Sequence, residues 1–310
     1  MNVIFHASAG PDLAERLRRL PGLSITVCAE DDADTLFRLL PECDVLWHVL
    51  QPCTAPMIAA AHRLKLIQKI GVGVNTIDLD AAKQRGIPVC NLPGTNARAV
   101  AELTLGLMLS VLRRIPRFDQ AMRAGVWTDV ALQDGIGELA GRTIGLVGFG
   151  AIPRILAPIL GAFGCTVIYH ARSAADDPVA THRPFAQLLR EADIVSLHLP
   201  LVPETSRIIN AMSLAAMKRG AILINTGRGG LVDQPALVEA LRSGHLGGAG
   251  LDVFETEPPV ANEALLSLPN VVLTPHVGWL TTGTFDRSFA LAAENCRRIA
   301  GGAPLLHRVV

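Results

Sequence analysis

The stretch GLVGFGAIP occupies residues 145–153, just past the middle of a chain of 310 residues. An apolar run, residues 143–147, predicts a short buried strand, and two glycines follow where a strand would turn sharply into a helix. Without a Cβ at Gly148 or Gly150, backbone amides at the helix N-terminus could contact the pyrophosphate of a dinucleotide. Pro153 replaces the third glycine of the G-x-G-x-x-G pattern, so this stretch alone fits a structural glycine turn equally well.

The composition excludes several classes of protein. The length predicts two domains, and 50% of the residues are hydrophobic, as expected of a globular protein. Lys plus Arg and Asp plus Glu balance at 28 each, which gives no general field for nucleic acid or an anionic membrane surface. The six cysteines form no C-x-x-C pair and are expected to be reduced core residues of a cytoplasmic protein. No metal site, signal peptide or membrane span is predicted.

Apolar strand-like runs alternate with helical patterns along the whole chain. Such alternation predicts parallel βα units with helices on both faces of each sheet. Before the glycine turn the predicted strands are residues 3–5, 24–28, 45–47, 66–70 and 88–91. From the turn onward they are residues 143–147, 166–169, 194–198, 221–225, 248–253 and 271–274. The second set has six strands, the number in a doubled mononucleotide-binding unit.

Two helical patterns determine the expected domain boundaries. Residues 93–116 are apolar on nearly all sides and close with two arginines, which predicts a buried connector helix between the domains. The amphipathic pattern of residues 285–299 is predicted to cross back to the N-terminal domain. The expected domains are therefore 1–98 with 284–310, and 99–283. A polar excursion at 120–139 is a candidate for an arm that packs on another subunit.

Polar residues follow the predicted strands of the second domain, where open parallel sheets bind ligands. Taken singly, Arg228, Glu257 and His276 have plain explanations as a surface arginine, a solvated carboxylate and a capped loop histidine. Together they suit reduction of a ketone by hydride transfer, because histidine can protonate the forming alkoxide while a carboxylate holds the imidazolium. If the substrate is a 2-oxo acid, arginine supplies a planar fork for its carboxylate and carbonyl.

Several ordered motifs strengthen this interpretation. They are GVGVN at 71–75, NLPGTN at 91–96, VAE at 100–102, SLHLPL at 196–201, INTGRG at 224–229, LDVFETEP at 251–258 and TPH at 274–276. With these motifs the chain resembles the D-isomer-specific 2-hydroxyacid dehydrogenases over nearly its whole length, most densely over residues 141–278. The resemblance implies an α/β fold with two Rossmann-like domains on doubly wound parallel sheets. One is a discontinuous, flavodoxin-like substrate domain and the other a dinucleotide-binding domain.

The resemblance also implies a role for each matched residue. Arg228 would bind the substrate, Glu257 would tune His276, and His276 would be the general acid and base. The substrate-binding residues are expected to be Val72 and Gly73, through their amides, Arg228, and Trp279, which is equally well explained as packing. Asp252 would bind the nicotinamide carboxamide. The cofactor-binding residues are expected to be Gly148, Gly150, Ala151, Ile152, Arg172, Ser173, Pro200, Thr205, Thr226, Asp252 and His276.

Two departures from the family pattern affect the cofactor. Pro153 should fall in the first helical turn, where a missing N–H costs little, whereas Pro158 is expected to kink the helix. An NAD-preferring site has an acid about 20 residues after the glycine turn. This chain instead has Arg172, with His170 and Ser173 beside it, which predicts a preference for NADP(H) over NAD(H).

The expected function is reduction of a small 2-oxo acid, such as glyoxylate or hydroxypyruvate, to the D-2-hydroxy acid. Side-chain selectivity should come from the loop after Trp47, from the segment around Gly73, and from Trp279. The alternatives are a nicotinamide-sensing, corepressor-like binding protein without significant turnover and a phosphoglycerate-type dehydrogenase. A homodimer is expected from the resemblance.

Overall fold

The computed structural model describes all residues from Met1 to Val310, and the chain divides into two compact units. The first unit consists of Met1–Asn96 and Thr281–Val310, and the second of Ala97–Leu280. None of the helices is both long enough and apolar enough to span a membrane.

The chain contains twelve β-strands and twelve α-helices. The strands are β1 (Asn2–His6), β2 (Ser24–Cys28), β3 (Val45–His48), β4 (Leu66–Lys69), β5 (Val89–Cys90), β6 (Thr143–Val147), β7 (Thr166–His170), β8 (Ala180–His182), β9 (Ile194–Leu197), β10 (Ala221–Asn225), β11 (Leu246–Leu251) and β12 (Val271–Leu273). The α-helices are α1 (Pro11–Arg18), α2 (Ala33–Leu39), α3 (Ala55–Ala60), α4 (Leu79–Gln84), α5 (Ala97–Arg113), α6 (Ile115–Arg123), α7 (Val130–Gln133), α8 (Ala151–Ala162), α9 (Phe185–Glu191), α10 (Ala211–Ala216), α11 (Gln234–Arg242) and α12 (Thr282–Gly301).

The first unit is built on a five-stranded sheet of order β2-β1-β3-β4-β5, with every neighbouring pair parallel. This is the flavodoxin-like order that the resemblance implied. The core includes Trp47, which is fully buried and stacks on Phe289 of α12 with ring centroids 5.6 Å apart. The final helix therefore covers one face of this sheet.

The last residues of the chain line the outer edge of β5. Val309 donates to the Val89 carbonyl at 2.7 Å, and Asn91 donates to the His307 carbonyl at 3.1 Å. A strand edge with unpaired backbone groups invites association with other chains, so this pairing protects the edge.

The second unit contains a seven-stranded parallel sheet of order β12-β11-β10-β9-β6-β7-β8. The fold class is confirmed, but the expected number of six strands is wrong. The missed strand, β8, has three residues and pairs only with β7 at the edge of the sheet. Such a short, half-polar edge strand leaves no apolar run in the sequence.

The helix predicted at 93–116 is shorter than expected. α5 begins at Ala97, because residues 93–96 form turns, and it ends at Arg113. Arg114 adopts a left-handed conformation with φ of 51°, and Pro116 then lies in the first turn of α6. The helix is also not buried all round, since Glu102 and Gly106 are exposed.

Glycines on β11 let α5 approach the sheet closely. A Cβ at Gly248 would lie 2.6 Å from Val111, and one at Gly250 would lie 3.0 Å from Leu107. All strands of this sheet are parallel, so the segments that follow β6, β10, β11 and β12 lie along one edge. The motifs of the sequence fall on these segments.

Candidate active site and nucleotide-binding turn

Arg228 follows β10 in a turn that Asn225 shapes. Asn225 Oδ1 accepts a hydrogen bond from the Gly227 amide at 3.0 Å, and Asn225 Nδ2 donates to the Arg228 carbonyl at 2.9 Å. Burial lowers the pKa of Arg228, while the negative charge of Glu257 acts in the opposite direction. A guanidinium stays protonated in proteins, so a cation is held near this carboxylate.

Gly229 allows close backbone contact between the turn after β10 and the segment after β11. A Cβ at Gly229 would overlap the backbone carbonyl of Phe254. Only glycine therefore lets these two segments pack together, and the second of them carries Glu257. The sequence shows this glycine only as part of a motif, and the structure shows that it makes a tight backbone contact.

Glu257 and His276 form a hydrogen-bonded pair. His276 Nδ1 lies 2.6 Å from Glu257 Oε2, and Glu257 Oε1 accepts from the Phe254 amide at 3.0 Å. Burial by itself raises the pKa of Glu257, but the hydrogen bonds from His276 and Phe254 and the charge of Arg228 hold that pKa below its ordinary value. An ionised carboxylate only accepts, so Nδ1 carries a proton and Nε2 is left to exchange one.

The backbone of His276 is in a conformation that few side chains adopt. Its φ is 54°, in the left-handed region. The His276 amide donates to the Asp252 carbonyl at 2.8 Å, and Trp279 Nε1 donates to the His276 carbonyl at 3.0 Å. The imidazole is therefore placed by a turn that is bonded on both sides.

Asp252 has a structural role that the sequence analysis missed. Its side chain is 2% exposed, and its two oxygens accept from the Thr274 hydroxyl at 2.6 Å and from the Val277 and Gly278 amides at 2.9 Å. The carboxylate thus holds the turn around His276. A buried aspartate at a strand end was the available signal, but its donors are distant in sequence. The expected contact of Asp252 with the nicotinamide stays a prediction.

The two glycines after β6 differ in what requires them. Gly148 has φ of 98°, and a Cβ there would lie 2.5 Å from the His198 carbonyl, so the fold itself requires glycine. Gly150 is the N-cap of α8, and a Cβ there would meet no atom of the chain within 4 Å. The open space in front of Gly150 and the free amides of the helix N-terminus fit a pyrophosphate.

Comparison with known proteins shows to which family the chain belongs. Residues 105–278 match the family described as D-isomer specific 2-hydroxyacid dehydrogenase, NAD binding domain. The chain belongs to this family. It is 44% identical to the hydroxypyruvate reductase of Thermotoga maritima over 252 residues, 80% of this chain and 81% of that protein. It is 40% identical to the glyoxylate reductase of Aeropyrum pernix over 280 residues, 87% of this chain and 83% of that protein.

Other relatives of this 2-hydroxyacid dehydrogenase broaden the comparison. The solved structure of the TT0316 protein from Thermus thermophilus has a TM-score of 0.90 at 41% identity and covers 100% of both chains. The D-3-phosphoglycerate dehydrogenase of Mycobacterium leprae is 40% identical, and the chain spans 52% of its length. The protein is therefore an NAD(P)-dependent enzyme that acts on the CH–OH group of 2-hydroxy acids.

In this dehydrogenase, Pro153 is the third residue of α8 and is buried. The glycine turn and the helix both form despite the missing third glycine, as expected of a proline in the first turn. α8 continues through Pro158 to Ala162, and the expected kink stays a prediction. Ala151 and Ile152 supply the first two residues of the helix.

Of the remaining predicted cofactor residues of the second unit, Thr205 and Thr226 form hydrogen bonds within the chain, whereas Arg172 and Ser173 are exposed. Thr205 Oγ1 donates to the Pro200 carbonyl at 2.6 Å, which closes the turn after β9. Thr226 Oγ1 lies 3.0 Å from Thr104 Oγ1 and is buried. Arg172 and Ser173 are exposed in the loop after β7, where the Tyr169 hydroxyl bonds both the amide and the carbonyl of Ala175 at 2.7 Å.

The predicted carboxylate-binding amides lie in the first unit, in the turn after β4. Val72 is 42% exposed, and its carbonyl accepts from Asn91 Nδ2 at 2.8 Å. The amides of Val72 and Gly73 donate to no other group of the chain. Backbone amides without a partner in the chain suit an anion, and their role stays a prediction.

Proposed function

We propose that this dehydrogenase reduces glyoxylate to glycolate and hydroxypyruvate to D-glycerate, with NADPH as the preferred donor. The single observation that supports this best is the Glu257–His276 pair, 2.6 Å apart, with Arg228 close to the same carboxylate. The named activities of the hydroxypyruvate reductase and the glyoxylate reductase support these substrates, and this chain spans 81% and 83% of those two proteins.

The chain's own residues would provide binding and proton transfer. A bound nicotinamide supplies the hydride that reaches the carbonyl carbon. Arg228 would hold the carboxylate and carbonyl of the acid in its planar fork, and Val72 and Gly73 would add backbone donors. His276 Nε2 would give its proton to the carbonyl oxygen as the alkoxide forms, and Glu257 would stabilise the imidazolium through Nδ1.

The cofactor preference is supported by the loop after β7. Arg172 and Ser173 are exposed and could reach a 2′-phosphate. Asp177 is the partly buried acid of the same loop, and its Oδ1 accepts from the Val179 and Ala180 amides at 3.0 Å. Its other oxygen lies 3.9 Å from Arg154, so its charge is partly balanced.

We also propose a homodimer. The segment from α6 to residue 136 exposes apolar side chains that a folded monomer would rarely leave in water. The exposed apolar residues are Ile115 at 50%, Met122 at 50%, Val126 at 43%, Trp127 at 82% and Val130 at 73%. Light scattering should give twice the chain mass, and Trp127→Arg should shift it toward one chain. A monomeric wild type would contradict the proposal.

The six free cysteines support a reducing compartment such as the cytoplasm.

A panel of 2-oxo acids assayed with NADPH and NADH tests the substrate and the cofactor together. The expected result is the highest kcat/KM for glyoxylate or hydroxypyruvate with NADPH. Highest activity on 3-phosphohydroxypyruvate would instead favour a phosphoglycerate-type enzyme. Tight nucleotide binding without turnover on any acid would favour a nicotinamide-sensing binding protein.

A further inference from the structure

Three basic residues lie side by side at the carboxyl edge of the first sheet. They are the last residues of three neighbouring strands, and the register pairs His6 with His48 and His48 with Lys69. His48 is fully buried, and His6 and Lys69 are each 4% exposed. Buried basic groups are uncommon and need hydrogen bonds to be tolerated, so this row calls for a role.

Two of these side chains bond to one short segment of backbone. Lys69 Nζ donates to the Val49 carbonyl and lies 3.4 Å from His48 Nδ1, and His48 Nε2 bonds to the Gln51 carbonyl. An ammonium group only donates, so Nδ1 is the acceptor and the ring proton is on Nε2. Burial, together with the charge of Lys69, lowers the pKa of His48 to about 3, which keeps the ring neutral in this tautomer.

The segment held in this way is residues 49–52. On one side of it, the His48 carbonyl accepts from the Ile70 amide at 2.8 Å. On the other side, the Cys53 amide donates to the Thr76 carbonyl at 2.8 Å. Between these two points the carbonyls of Val49 and Gln51 are bonded to buried side chains of the sheet.

The same lysine adjoins the turn that carries Val72 and Gly73. A Cβ at Gly71 would lie 3.5 Å from Lys69 Cε, so the side chain runs beneath the start of that turn. Segment 49–52 and this turn follow the neighbouring strands β3 and β4 at one edge of the sheet. That edge is where open parallel sheets bind their ligands.

We propose that Lys69 and His48 are positioning residues that fix segment 49–52 for selecting the side chain of the 2-oxo acid. The inference rests on the proposed function, in which the first unit binds the substrate. Hydroxypyruvate has a hydroxymethyl group for the segment to contact, whereas glyoxylate has only a hydrogen at that position. Loosening the segment should therefore affect hydroxypyruvate alone.

Two substitutions at His48 separate its two hydrogen bonds. His48→Gln keeps an amide donor near the position of Nε2 and can still hold Gln51, whereas His48→Asn keeps an acceptor for Lys69 and loses the bond to Gln51. In His48→Asn the KM for hydroxypyruvate should rise about fivefold, while the KM for glyoxylate and both kcat values stay within about twofold. His48→Gln should resemble the wild type. Equal KM changes for the two acids in His48→Asn would overturn the proposal.

Hydrogen exchange tests the positioning without any substrate. The amides of segment 49–52, which are those of residues 49–51 because Pro52 has none, should exchange about tenfold faster in His48→Asn than in His48→Gln, with the core strands unchanged. Unchanged exchange in this segment would overturn the positioning role, whether or not the wild type reduces the two acids. If the wild type reduced neither acid, that result alone would contradict only the proposed function. If His48→Asn does not fold, Lys69→Met, which keeps an apolar stem and removes the donors, should give the same changes.

Discussion

Asp252 forms hydrogen bonds to the turn of His276 through both its backbone carbonyl and its side-chain carboxylate. Its backbone carbonyl accepts from the His276 amide at 2.8 Å, and its carboxylate accepts from the two amides that follow, at 2.9 Å. The imidazole position therefore depends on a residue that is distant in sequence.

Asp252→Asn should reduce catalysis through His276. An amide nitrogen cannot accept, so at least one of the three donors to Asp252 loses its partner in a buried site, at a cost of about 1–3 kcal/mol. We expect kcat to fall by about tenfold or more, together with a lower Tm. Thr274→Val, which removes only the hydroxyl donor, is the control and should have a smaller effect. An unchanged kcat in Asp252→Asn would contradict the positioning.

His276→Ala should lower kcat by about 100-fold or more, the usual contribution of general acid catalysis. Nucleotide affinity should change far less, because the substitution removes the proton donor and leaves the glycine turn intact. Steady-state kinetics and a fluorescence titration with NADPH measure the two effects separately. Near-normal turnover in this variant would exclude His276 as the acid.

Glu257 should make stability depend on pH in a defined direction. Burial opposes the ionised form, yet the hydrogen bond from His276 and the neighbouring groups hold the pKa of Glu257 below its ordinary value. Its stabilising contribution is therefore complete above the ordinary carboxyl range and is lost as the pH falls through the lowered pKa. Denaturant unfolding of the wild type and Glu257→Gln should differ at neutral pH, and the difference should shrink as the pH falls through the lowered pKa of Glu257. A difference that grows on acidification would refute this sign.

Alanine at Gly148 should lower the stability of the protein, whereas alanine at Gly150 should weaken nucleotide binding. Gly148→Ala forces a Cβ toward the His198 carbonyl at positive φ and should destabilise the protein. Gly150→Ala meets no atom of the chain and should leave Tm nearly unchanged, while it weakens binding of the nucleotide. Thermal unfolding with and without NADPH distinguishes the two. Normal NADPH affinity in Gly150→Ala would remove this glycine from the cofactor site.

Arg172→Ala should weaken the use of NADPH selectively. A charge-assisted hydrogen bond to a phosphate contributes about 1.5–3 kcal/mol, so kcat/KM for NADPH should fall roughly 10- to 100-fold. The value for NADH should barely change. Arg219→Ala is the matched control, because Arg219 is also exposed but lies just before β10, at the amino end of a strand. A parallel loss with both nucleotides would contradict a role in binding the 2′-phosphate.

Much of the fold could be predicted because buried parallel strands leave continuous apolar runs. Five strands of the first unit and six of the second were located in this way, and polar residues at their carboxyl ends marked the candidate site. β8 was missed because an edge strand with one neighbour needs no apolar run. The helix start was misplaced because the prediction extended the apolar pattern back to Pro93, although residues 93–96 read PGTN, a turn-forming sequence, and form turns.

The parts that could not be predicted depend on register and on distant backbone groups. Asp252 meets donors 22, 25 and 26 residues away, and no local pattern specifies such contacts. The pairing of His48 with Lys69 requires the registers of two adjacent strands. Gly229 was recognised as part of a motif, but only the position of Phe254 shows why a side chain is excluded there.

The return of the final helix to the first sheet has a consequence during synthesis. When a ribosome has made residues 1–280, the second unit has all of its chain, whereas the first still lacks α12 and the residues that pair with β5. Trp47 then has no Phe289 ring to stack on, and the part of the first sheet that α12 covers is exposed. Domains generally fold as units while they emerge. The second unit can thus fold before the first, which is complete only when its last helix has been made.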